Sequence, residues 1–563
     1  MRSRLAVTAP VRVPLTPLRS LAGAVVLALT AACASDEPTV APGAESPRLG
    51  PSLALSAMPI NNAPLLPQDT LSATLLSASS TSRTLSVKSG QSLQRAIDTA
   101  RVGDVIVLQA GATFAGNFRL RKKTGTGWIT IRTSTSDANL PVGRRVTPAD
   151  APKLARLTTP DNAMWTLITE IGAHHYRLIG LEITHPSSLD YHNGLVVFGD
   201  GTSNQSTLSS VATDLVLDRS YVHGRSGVHQ KRCITLNSAR TVIMNSYISE
   251  CHSNWSDVSA IGGWNGPGPY RIENNYLEAS VATILFGGAD PKIPNLIPSD
   301  ITIRRNHFYR PTSWKGVWNV KNHIEFKNAQ RVLIEGNVIE NNWPDNQTGF
   351  ALVWKSVNQQ GSCTWCTVRD VTFRYNKVRR TSGGLSLTGN GSTQPAVNAA
   401  RIALEHNVFE QMDTLDFTGP DRVFQFGGLL SDITLNHNTV ATTPDYLLML
   451  AGGSITRFDF RNSAMVTGSY GIKGDGTASG SASLSKFASG YTFARNVAVK
   501  TSAVTYPSDN AYPTTISGIG YVDVARGNYR LSSSSPHKGK GSDGKDPGAD
   551  IDELERRIAG VVR

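Results

Sequence analysis

Through the second half of the chain, short runs of alternating apolar and polar residues each close on an asparagine. They read YRIENNYLE, ITIRRNHFY, VLIEGNVIE, VTFRYNKVR, IALEHNVFE, ITLNHNTVA and, degenerately, FDFRNSAMV. The closing residues are Asn275, Asn306, Asn337, Asn376, Asn407, Asn438 and Ser463, so successive subtractions give 31, 31, 39, 31, 31 and 25 residues. Ser220 in VLDRSYVHG and Ser246 in IMNSYISE extend the series towards the N-terminus. Period-two alternation, as at Ile301 and Ile303 or Val371 and Phe373, predicts strands, and the recurrence predicts a stacked solenoid. Asparagine tolerates the left-handed backbone region and can bond its amide from coil to coil, which predicts a structural column in one turn.

A second family of strands precedes these runs: CITLNSA, AIGGWNG, ILFGGAD, HIEFKNA, FALVWKS, LSLTGNG and FQFGGLL. Aligning Phe286, Phe326, Trp354 and Leu387 as inward residues puts Gly287, Lys327, Lys355 and Thr388 in one outward column, and Leu285, Glu325, Val353 and Ser386 in the next. Coils about 4.8 Å apart would stack Lys327 on Lys355 with Glu325 beside them. Two stacked ammonium groups repel, depress each other's pKa and favour an anionic partner. A surface salt bridge is the plainer reading of Glu325 and Lys327.

The long loops follow these same strands, at Gly262 to Pro269, Gly287 to Pro298, Ser356 to Thr367 and Gly389 to Asn398. Long loops of a repeat cluster on its binding face. They carry Trp264, Asn265, Asp290 and Trp365 towards the predicted groove. Tryptophan suits sugar-ring stacking, and asparagine or aspartate suits sugar hydroxyls or a calcium ion. Loop packing is the structural alternative for each tryptophan.

Composition narrows the class of partner. The formal charge of +12 falls to about +8 if Met1 to Ala34 is removed with its four arginines, so acidic partners are favoured. No zinc-finger, helix-turn-helix or RNA-binding signature accompanies the cations, which points away from nucleic acid. Arg2, Arg4, Arg12 and Arg19 precede an apolar run from Leu21 to Ala32 and the sequence LTAACAS, the layout of an export signal. Cys33 fits a lipoprotein box, with Thr30 where leucine is usual, and cleavage after Ala34 is the competing reading. Residues 35–85, rich in Pro, Ala, Ser and Thr, read as a tether. Cys363 and Cys366 suggest a local disulfide, and Cys233 and Cys251 a bridge between adjacent coils.

The start of the folded region, SGQSLQRAIDTARVGDVIVLQAGATFAGNFRLRKKTGTGWITIR, resembles the N-terminal cap of right-handed parallel β-helix proteins of the pectate-lyase-like superfamily. In that cap an amphipathic helix, here Leu93, Ala96, Ile97 and Ala100, covers the open solenoid end. The ending GNYRLSSSSPHKGKGSDGKDPGADID resembles the closing segment of bacterial β-helix proteins. The style is similar to chondroitinase B and alginate lyases. The resemblance implies an all-β solenoid over residues 86–499 and a closing segment over 500–563; the N-terminal layout adds the expectation of export to the cell surface or periplasm, and a monomer is expected.

Function is less constrained, because the fold hosts many activities. The RxPxxR of pectate lyases, the NTD, DD and GHG set of polygalacturonases and the DPHD of mannuronan epimerases do not occur; Lys292 follows Asp290 and Pro291. The resemblance implies a polysaccharide lyase in which Lys327 or Lys355 takes a proton and Arg232 or the other lysine neutralises a uronate carboxylate. Glu325, Lys327 and Asn328 match loosely the segment that holds catalytic lysine and calcium ligands in chondroitinase B-like enzymes. A glycoside hydrolase would pair Asp290 with Glu325, up to about 9.5 Å apart. A non-catalytic glycan-binding or surface structural protein is the third reading.

Overall fold

The computed structural model describes residues 63–72, 82–141, 143–162, 164–412, 417–500 and 504–562. The export segment, Cys33 and most of the expected tether lie outside these residues.

Each coil contributes one strand to each of three parallel sheets. Sheet 1 has 12 strands from Phe118–Leu120 to Gly471–Gly474, sheet 2 has 15 beginning at Thr84–Val87, and sheet 3 has 13 ending at Val497–Val499. The molecule is therefore an all-β, right-handed parallel β-helix. Alternation supplies its core: Phe286, Phe326, Trp354 and Leu387 are buried, with ring centroids 6.1 Å apart for Phe286 and Phe326 and 5.7 Å for Phe326 and Trp354. Such aromatic pairs contribute about 0.5–1.5 kcal/mol each beyond their burial. The helix Leu93–Thr99 buries Leu93 and Ile97 in this core, and its Ser92 cap accepts from Arg95 N.

The asparagine column lies at the corner between sheets 2 and 3. Asn306 N and Nδ2 donate to Asn337 Oδ1 at 2.8 and 3.1 Å, and Nδ2 also donates to Ile272 O at 2.9 Å. The same pattern links Asn275 to Asn306, Asn337 to Asn376, and Asn407 to Asn438. Serine rungs use Oγ instead, as where Ser220 N donates to Ser246 Oγ. The column continues beyond Ser463 through Asn496 and Asn510. One expectation needs correction: the ladder asparagines are not left-handed. The residue before each one is, as at Asn274, Arg305, Tyr375, His406 and His437, all with φ between 50° and 56°. The ladder amides supply the hydrogen bonds that hold this corner, so its left-handed position accepts several residue types.

A second corner, where the chain enters sheet 2, carries alternating charges. Asp300, Arg331, Asp370, Arg401, Asp432 and Arg457 share a positive φ there. Asp300 pairs with Arg331 at 2.8 Å, Asp370 with Arg401 at 2.6 Å and Asp432 with Arg457 at 2.6 Å. Residues 63–72, inside the expected tether, lie across this ladder: Leu65 N donates to Asp370 Oδ1, Gln68 N to Asp300 Oδ1, and Asp69 pairs with Arg240. This stretch is a docked strap.

Both disulfides form. Cys363–Cys366 staples a loop. Cys233–Cys251 joins the sheet 1 and sheet 3 strands of one coil, not two adjacent coils.

Candidate functional site

Sheet 1 sets the register of the site. Leu285 pairs with Glu325, Glu325 with Val353 and Val353 with Ser386, which makes one outward column. Phe326 pairs with Trp354, so Lys327 and Lys355 follow on neighbouring strands. Gly287 stands before Lys327 in this column with φ +106°, and a Cβ there would come within 2.7 Å of Lys327 Cβ. Glycine at 287 therefore serves both the turn and the room the lysine needs.

Glu325 Oε1 lies 3.5 Å from Lys327 Nζ and 4.0 Å from Lys355 Nζ. The carboxylate is buried and this oxygen accepts no hydrogen bond, so two cations neutralise it while its lone pairs stay open. Burial lowers the Lys355 pKa below the ordinary lysine value; Glu325 opposes this, and Lys327 and Lys321 reinforce it. Lys355 thus gives up its proton more readily than an ordinary lysine.

Two cavities meet at Lys327. One is lined by Arg232, Asp257, Trp264, Leu285, Glu325 and Lys327. The other is lined by Lys327, Lys355, Asn358, Gln359, Ser392 and Gln394. In the first, the Arg232 guanidinium sits 4.9 Å from the Trp264 ring, a cation–π contact. Burial lowers the Arg232 pKa, while Tyr191 and Asp257 oppose it. Asp257 pairs with Lys321 at 2.6 Å. Desolvation would raise the Asp257 pKa, but this pair and the nearby Lys327 and Arg232 bring it below the usual carboxylate range.

The other candidates serve the loops. Asp290 is buried and accepts from the backbone N of Gln359, Gln360 and Ser362 and from Ser362 Oγ, at 2.7–3.0 Å. Burial alone would raise its pKa; these donors hold it below the usual carboxylate range. The Asn265 side chain accepts from Lys292 N and donates to Asp200 O and Gln205 O. Asn328 joins Leu296 O to Thr367 N, and Trp365 Nε1 donates to Leu296 O. Glu325, Lys327, Lys355, Arg232 and Trp264 therefore share the groove, while Asp290, Asn265, Asn328 and Trp365 fasten its walls. Asp257 and Lys321 belong to the groove and were not among the sequence candidates, because they precede their strands.

A calcium ion fits this donor set poorly. The open oxygen of Glu325 faces two ammonium groups, whose charge a divalent cation would have to displace. Among the described residues no group of three or more His, Cys, Asp or Glu side chains gathers as a metal cluster.

No family model and no curated protein matches the chain. Solved structures do. The catalytic unit of a GH87 α-1,3-glucanase from Streptomyces thermodiastaticus aligns over 78% of this chain and 72% of its own, at 14% identity and TM-score 0.46. The PL6-family alginate lyase AlyGC aligns over 85% and 59%, at 14% identity and TM-score 0.42. Pectate lyase Pel9A aligns over 83% and 96%, at 13% identity and TM-score 0.35. In architecture the chain is a parallel β-helix, as its three parallel sheets show.

Proposed function

We propose that this protein cleaves an acidic polysaccharide by β-elimination in the sheet 1 groove. The observation that carries the reading is the buried Glu325 carboxylate between Lys327 and Lys355, with the Lys355 pKa depressed. Elimination from a uronate needs its carboxylate neutralised, a base for the proton on the adjacent carbon, and a proton for the leaving oxygen. Lys327 and Arg232 face the same cavity and supply the neutralising charge. Neutral Lys355 takes the proton. The electron pair of that C–H bond becomes the new C=C bond as the neighbouring C–O bond breaks; the departing oxygen takes a proton from water, and the Lys355 ammonium returns its proton to solvent. Glu325 holds the two ammonium groups in place and opposes their deprotonation, while burial and the neighbouring Lys327 and Lys321 charges drive the loss of the Lys355 proton.

A hydrolase built on Asp290 and Glu325 has less support, since the Asp290 carboxylate is occupied by four loop donors. Incubation of the purified protein with uronate polysaccharides tests the proposal: ultraviolet-absorbing unsaturated ends are expected together with new reducing ends. Reducing ends alone would indicate hydrolysis, and neither product would indicate a binding protein. Export with lipid attachment at Cys33 is part of the proposal, as the location where such a substrate would be met.

A further inference from the structure

Trp255 is 63% exposed, and of the nine tryptophans in the chain it is the one left open to solvent. It sits on the loop between the strands Tyr247–Cys251 and Ser259–Gly263, on the side of the groove opposite the long loops. Its ring lies on His229, with centroids 3.6 Å apart and planes 15° from parallel, and 6.4 Å from Tyr191.

This exposure is held in place. Trp255 N donates to Ser253 Oγ at 2.9 Å, and Asn254 N donates to His229 Nδ1 at 3.2 Å. An acceptor at Nδ1 requires that nitrogen to be unprotonated, so the imidazole under the indole is neutral. Burial lowers the His229 pKa in the same direction, His252 adds to it, and Asp190 opposes. The next loop clasps this one: Asn254 Nδ2 donates to Val317 O at 2.8 Å and Asn319 N to Asn254 Oδ1 at 2.7 Å. On its other edge His229 meets Trp318 at 5.1 Å. A rigid, exposed aromatic surface loses little conformational entropy on binding a flat apolar partner.

Its position selects that partner. His229 and Arg232 share the strand His229–Leu236, and Asp257, two residues beyond Trp255, lines the cavity of Glu325 and Lys327. Three strand steps separate His229–Leu236 from Asn322–Phe326, about 14 Å at the usual strand spacing. In strand register Glu325 is level with Thr235, about 20 Å along the strand from His229, so a polymer crossing sheet 1 obliquely from Lys327 would reach Trp255 several sugar units away. We propose that Trp255, seated on neutral His229, is a sugar-stacking subsite that binds the apolar face of a pyranose ring distant from the bond being cleaved. This rests on the acidic-polysaccharide reading of the groove.

The test measures binding separately from turnover. Dissociation constants of the full chain for alginate, polygalacturonate and chondroitin sulfate would be compared among wild type, Trp255→Ala and Trp255→Phe, with thermal unfolding recorded for each. For whichever polymer binds, Trp255→Ala should weaken affinity about tenfold, Trp255→Phe should restore most of it, and the melting temperature should hold. Wild-type affinity in a folded Trp255→Ala overturns the subsite, even if the protein proves to be a lyase. Binding that depends on Trp255 without any cleavage upholds the subsite and overturns the lyase. Failure of the wild type to bind all three polymers overturns both.

Discussion

Asn306 Nδ2 donates to Asn337 Oδ1 at 3.1 Å while its own Oδ1 accepts from Asn275 N at 2.9 Å, so one side chain satisfies backbone and side-chain groups on two coils. Asn306→Leu would strand these buried donors and acceptors, at a cost of about 2–4 kcal/mol. Asn306→Ser should cost less, because Ser246 and Ser463 already receive the preceding rung's amide on Oγ. Urea denaturation of the two variants checks the order Leu worse than Ser; equal losses would mean the column is not a hydrogen-bonded ladder.

Asp370 pairs with Arg401 through both carboxylate oxygens, at 2.6 and 2.7 Å, and also receives Leu65 N from the strap. Asp370→Ala leaves Arg401 without this partner and releases one strap contact, an expected loss of about 1–3 kcal/mol given the partial exposure of Arg401. Limited proteolysis should then cut near residue 65 faster than in wild type. Unchanged cleavage would show that the strap is held by other contacts.

Glu278 titrates abnormally. Burial pushes its pKa up to about 7, against the donors Glu250 N and Tyr276 Oη, with Glu250 adding to the rise and Arg310 opposing it. Because the folded pKa is raised above the unfolded carboxyl value, the folded state binds more protons between about pH 4.5 and pH 7. Its contribution therefore favours the fold at low pH and is lost as pH rises through that window, by about 2–3 kcal/mol. Unfolding free energies measured at pH 5 and pH 7 should differ less in Glu278→Gln than in wild type.

The strand phase is legible in the sequence because inward Phe286, Phe326 and Trp354 recur at a fixed offset from the outward residues. The stacking of Lys327 on Lys355 follows from that offset. Three features were not legible. Asn265, Asp290 and Asn328 have the chemistry of ligands, but their partners lie on other loops, with Ser362 72 residues from Asp290. Asn496 and Asn510 continue the ladder after the helix Ser481–Phe487 interrupts the spacing, so no repeat announces them. Trp255 and Asp257 sit on a loop that enters sheet 1, whereas the repeat drew attention to the loops that leave it.

Lipid attachment at Cys33 makes a separate prediction. Mass spectrometry of protein from the native membrane fraction should find an acylated Cys33 as the mature N-terminus. A mature chain beginning at Ser35 would contradict it.

Lys355 is the proposed proton acceptor of the elimination reaction. Its depressed pKa, caused first by burial, should make activity rise with pH until the neutral amine predominates, on a limb below the ordinary lysine value. The most direct measurement is the rate of ultraviolet absorbance gain on an acidic polysaccharide, for wild type and Lys355→Ala, across that pH range. Wild type should form unsaturated ends, and a folded Lys355→Ala variant should lose about two orders of magnitude in rate or more. Wild-type turnover in that variant, or cleavage without unsaturated ends, would contradict this role of Lys355.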